Sequence, residues 1–110
     1  MTGLVPISWY LALAGLLFAV GVLGALTRRN GITIFLSIEL MLNSVNLALI
    51  AYARQIAEAA GPGAGLTGHV VVLFVIAVAA AEAAVGLALF IAVFRGRRTI
   101  DVDRLNLMRW

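Results

Sequence analysis

Three apolar runs, each long enough to cross a bilayer, constrain this 110-residue chain more than any other feature. A membrane-spanning helix needs about 20 apolar residues. The runs cover about residues 7–26, 31–53 and 70–94. The first holds no charge, the second only Glu39 and the third only Glu82. A lone strand cannot satisfy its backbone in lipid, and the alternating segments of a closed barrel are not visible, so the runs predict helices. The expected fold is an all-α membrane protein: a single domain of three transmembrane helices, with a tail at 95–110. Composition agrees. The chain is 64% hydrophobic and 12% charged, against about half and a quarter in a soluble domain. That is too little polar surface for a soluble monomer, and too little charge for disorder. There is no cysteine, which removes disulfides, thiolate metal sites and a cysteine nucleophile.

The connections set the expected direction. Arg28 and Arg29 lie between the first two spans, and Arg95, Arg97, Arg98, Arg104 and Arg109 follow the third. These two regions must share a side, and together they hold seven of the eight arginines. The positive-inside rule therefore puts the N-terminus outside and the tail in the cytoplasm. Trp9, Tyr10 and Tyr52 fall at the outer interface, where amphipathic rings belong. The second connection contains Gly61-Pro62-Gly63-Ala64-Gly65, a strong helix breaker. No positive charge precedes the first span, and its run is too long for the core of a signal peptide. The arginines mark membrane topology rather than a nucleic-acid surface.

Glu39 and Glu82 are the residues that point to function, because an ionisable group inside a span is costly to insert. Helical rise places Glu39 roughly 12 Å from the inner end of its helix and Glu82 roughly 18 Å from the inner end of its own. Both are expected near mid-membrane, where desolvation raises a carboxyl pKa and lets the group exchange protons. Asn43 and Asn46 follow Glu39 at four and seven residues and share its helical face. Thr33, Ser37 and Ser44 fall on the opposite face, so the second helix should be enclosed by others. Glu82 sits among alanines and needs a partner from another helix or chain. Three helices can hardly shield both acids, so the chain is expected to be one subunit of a larger assembly. The plainer alternative is that both carboxyls serve packing and assembly. Gly15/Ala19 and Gly21/Ala25 have the spacing of packing motifs. His69 stands alone at the outer lip of the third span, without co-ligands for a metal. No nucleophile–base pair, phosphate loop or ligand cluster is present.

The stretch TRRNGITIFLSIELMLNSVNL (27–47) resembles the signature of subunit K of the proton-pumping NADH:quinone oxidoreductase, respiratory complex I. The stretch FVIAVAAAEAAVGLALFIAVFR (74–95) resembles that family's third helix, and DVDRLNLM (101–108) its tail. His69 stands where many relatives carry Gln. The resemblance implies a subunit of the bacterial inner membrane with no cofactor of its own; NADH, quinone, flavin and iron–sulfur clusters belong to other subunits. It implies neighbours J, A and N. It also implies a proton relay through Glu39 and Glu82 that couples quinone reduction to proton translocation, supported by Arg28, Arg29, Asn43 and Asn46. A small component of the multisubunit sodium/proton antiporters shares the three-helix plan, but the acid of AAAEAA argues against it. A small multidrug transporter would carry its acid in the first of four helices.

Overall fold

The structure, a computed structural model, describes residues 5–97, 101 and 102. Among them lie three long helices: α1 (Ile7–Thr27), α2 (Gly31–Ala60) and α3 (Leu66–Arg97). All three are long and apolar enough to cross a membrane. Local chemistry sets their ends. Pro6 precedes the first turn of α1, where its missing N–H costs nothing. Asn30 caps α2, its Oδ1 accepting from Ile32 N at 2.9 Å and Thr33 N at 3.2 Å. Gly61 ends α2 at φ 109°, a conformation that a side chain would strain. A 3-10 turn at Pro62–Gly65 then leads into α3.

α2 continues past Ala53 to Ala60, and α3 begins at Leu66 rather than at 70. At 1.5 Å per residue, α2 is about 45 Å long, more than a hydrocarbon core of about 30 Å. The polar turn carrying Arg54, Gln55 and Glu58 is the surplus.

The helices form a row with α2 between α1 and α3. The α1–α2 seam is close. Gly21 and Gly24 face Ser37, and a Cβ on Gly21 would stand 2.8 Å from Ser37 O. Ala14, Gly21, Ser37 and Ser44 are buried. The serine hydroxyls bond back into their own helix, Ser37 Oγ to Thr33 O at 2.9 Å and Ser44 Oγ to Met41 O at 2.6 Å. This leaves nothing polar unsatisfied on that face. Gly21 of the Gly21/Ala25 pair is therefore a packing residue, whereas Gly15 faces open space. The α2–α3 seam is tight mainly at the outer end, where Gly65 meets the Ala53 carbonyl and a Cβ on Gly68 would stand 2.7 Å from Ala53 Cβ.

Candidate functional site

Glu39 lies on the face of α2 that turns toward α3. That face is fixed by Phe35, whose ring lies against Gly86 of α3, and by Ala53, which meets Gly68. Glu39 and Asn46 fall close to the same line of the helix. Asn46 is buried, Glu39 half-buried and Asn43 exposed. The two asparagines are three residues apart, which swings them about 60° from each other. The rim of the α2–α3 seam passes between them. The polar face expected around Glu39 is thus divided: Asn46 is inside the chain and Asn43 is outside it.

Glu82 is exposed on α3. It borders two shallow hollows. One, of 210 Å³, lies between the helices against Leu42, Phe74 and Val78. The other, of 350 Å³, lies on the outside of α3 against Ala81, Val85 and Leu89. No hydrogen bond or ion pair reaches Glu39 or Glu82 from any described residue.

The proton relay expected between Glu39 and Glu82 is overturned by this arrangement. It required two carboxyls enclosed by the protein and joined by polar groups. Among the described residues there is no buried Asp or Glu. Nor is there a cluster of three or more His, Cys, Asp or Glu. The physical reason is the row of helices. α3 touches α2 along one narrow strip, too little to surround either acid. What these carboxyls can do chemically is hydrogen-bond outward. A charged carboxylate left against lipid costs about 2.5–3.5 kcal/mol at mid-span, so both groups call for polar partners on another chain.

Arg28 and Arg29 are exposed in the connection between α1 and α2. Arg28 N donates to Gly24 O at 3.3 Å and closes α1. Arg29 O accepts from Val102 N at 2.9 Å, and Asn30 pairs with Asp101 in an isolated antiparallel bridge. The tail segment thus returns to the connection, bringing Asp101 beside the arginine pair. Arg98, Arg104 and Arg109 lie outside the described residues.

The chain's most connected polar residue is Arg54, which sequence reasoning left as a loop charge. Its Nη2 donates to Val5 O at 2.6 Å, and its guanidinium lies 5.0 Å from the centre of the Tyr10 ring. Its Nε is 3.2 Å from Glu58 Oε2, an ion-pair separation without hydrogen-bond geometry. The four-residue spacing of Arg54 and Glu58 is legible in the sequence; the reach across to α1 is not. His69 Nδ1 donates to Gly65 O at 2.9 Å and stays within the first turn of α3.

Three lipid-length helices in a row, with acids turned outward, define a multi-pass membrane protein that cannot complete its own polar contacts. Residues 9–110 match the family model of NADH-ubiquinone/plastoquinone oxidoreductase chain 4L, and the chain belongs to that family. It is similar to NADH-quinone oxidoreductase subunit K 2 of Koribacter versatilis, at 51% identity over 109 residues, covering 99% of each chain. It shares 52% identity with subunit K of Roseiflexus castenholzii, over 96% of this chain and 99% of the relative. With subunit K of Deinococcus radiodurans it shares 50%, over 99% of each. Family and spans together make it a multi-pass protein of the bacterial cell membrane that associates with other membrane-arm subunits.

Proposed function

We propose that this chain is a membrane-arm subunit of an NADH:quinone oxidoreductase that takes no part in the redox chemistry and whose outward carboxyls seat neighbouring subunits. The observation that carries the reading is the exposure of Glu82 in the middle of α3, with no partner among the described residues. Its spans support it. Only 11, 17 and 6% of the residues in their most apolar windows are buried inside the chain. Helix association in lipid comes from close packing and interhelical hydrogen bonds, so the uncovered faces carrying Glu39, Asn43 and Glu82 are the places for such contacts. Subunits J, A and N are the neighbours proposed for them. The N-terminus lies outside and the tail in the cytoplasm, with Arg28 and Arg29 on the tail's side, as the distribution of arginines requires. There those two arginines hold the connection against the cytoplasmic ends of the neighbours.

Affinity isolation from gently solubilised membranes tests the reading. The tagged chain should come out with an NADH-oxidising complex, and Glu82→Leu should lower its recovery in that complex several-fold while Glu82→Gln keeps it. Recovery of the chain alone, or equal recovery of Glu82→Leu, would overturn it. Because the sequence has no cysteine, single cysteines at Ala64 and Gly96 can report the direction. An impermeant thiol reagent added outside intact spheroplasts should label the first and not the second.

A further inference from the structure

The inner ends of α2 and α3 separate into a groove of 510 Å³, lined by Ile32, Leu87, Phe90, Ile91, Phe94 and Arg95. Its wall is apolar except for one group. Arg95 stands at the lip, exposed, and makes no hydrogen bond or ion pair with any described residue. The groove exists because of the contact above it. Phe35 fits against Gly86, where a Cβ would collide with its ring. Its ring also meets Phe90 edge-on at 5.9 Å and 89°. That contact props the helices apart on the way to Arg95.

We infer that this groove is a binding site for an anionic phospholipid, one acyl chain lying along Leu87, Ile91 and Phe94 and the phosphate pairing with Arg95. Several observations converge. The volume is that of a small-molecule site, about 300–1,000 Å³. The groove runs along the helix axis and reaches its cation at the end of the apolar span, which closes at Gly96. That is the depth of a headgroup rather than of a chain. A guanidinium binds phosphate through paired N–H groups. A carboxylate-bearing helix from a neighbour would also satisfy Arg95, but it would have to fill an otherwise wholly apolar channel, which a flexible hydrocarbon does without rearrangement. The groove also lies on the flank of α3 away from Glu82. Leu87 and Ile91 are five and nine residues on, about 140° and 180° round the helix. The face assigned to a neighbouring subunit and the face assigned to lipid are therefore different faces.

The chain's fit adds little selectivity, because lipid tails are as apolar as the groove wall. Selectivity rests on the headgroup charge. One arginine near a membrane surface enriches an anionic lipid about fivefold, the equivalent of ~1 kcal/mol. The test uses the intact complex, reconstituted in phosphatidylcholine vesicles doped with phosphatidylglycerol bearing a photoactivatable group on its acyl chain. Labelled peptides are mapped by mass spectrometry. Label is expected within residues 87–94, reduced about fivefold when the same probe carries a phosphatidylcholine head. Arg95→Gln should erase that headgroup preference, and Arg95→Lys should keep most of it. Leu87→Trp, which fills the groove and leaves the cation, should lower labelling by both probes. Absence of label from 87–94 in the intact complex would show that protein covers the groove, and overturn the proposal. So would labelling indifferent to headgroup and to Arg95.

Discussion

The two seams of this molecule are built from similar residues and do different work. Between α1 and α2, Gly21, Gly24, Ser37 and Ser44 bring two backbones together, and the serine hydroxyls are spent on their own helix. The outer end is tied a second time by Arg54 to Val5 O and the Tyr10 ring. Between α2 and α3, close approach is concentrated at Gly65 and Gly68 against Ala53 and at Gly86 against Phe35. Hollows open between and beyond those points. The first seam is complete in one chain. The second is a hinge-like line of contact with a carboxyl exposed on one flank and an apolar groove on the other. In lipid no hydrophobic force closes such gaps, so the difference marks α1–α2 as the internal core and α3 as the helix given over to partners.

Substitutions can break or sharpen that contrast. The largest effect should come from Gly21→Leu, whose side chain would meet the Ser37 carbonyl and the Met41 side chain. Overpacking there should cost about 1–3 kcal/mol and lower the amount of chain retained in membranes several-fold, read by immunoblot. Gly68→Leu meets a methyl group rather than a backbone carbonyl, and should cost about 1 kcal/mol, toward the low end of overpacking. Pairing Gly68→Ala with Ala53→Gly should recover the loss seen in Gly68→Ala alone, since the pair conserves volume. If Gly68→Leu proved as damaging as Gly21→Leu, the contrast between seams would be lost. Arg54→Gln should release the start of α1 at a cost of about 0.5–1 kcal/mol for the cation–π contact at a partly exposed site. Faster amide exchange confined to the first turns of α1 would report it. The smallest expected change is Asn30→Ala, about 0.5–1 kcal/mol for loss of the cap on α2, visible as fraying of 31–34 with assembly intact.

Much of this architecture is legible in the sequence, and the illegible part has a physical cause. Apolar length marks the three helices, and Gly61-Pro62-Gly63 marks the break between the second and third. The outer helix ends are not legible, because Ala57, Ala59 and Ala60 are helix formers and the α2 turn that carries them also carries charge. α1 and α3 are apolar on every side. Their sequences therefore hold no signal for which face meets protein and which meets lipid. Only α2, with serines on one face and Glu39 and Asn46 on another, shows that it lies between two helices. The enclosure of the acids is where the reading fails. Glu39, Asn43 and Asn46 align on a helical wheel, but a wheel does not show how wide a neighbouring helix is. The strip covered by α3 includes Asn46, reaches only part of Glu39, and leaves Asn43 and Glu82 outside.

The central claim is that α3 is covered on its Glu82 flank by another subunit and open to lipid on the opposite one. Val85 and Ile91 make the sharpest comparison, because the chain by itself exposes them almost equally, at 60% and 62%. A bilayer-soluble carbene reagent, photolysed in native membranes holding the assembled complex, should label Ile91 and spare Val85. Equal labelling of the two residues would contradict the account.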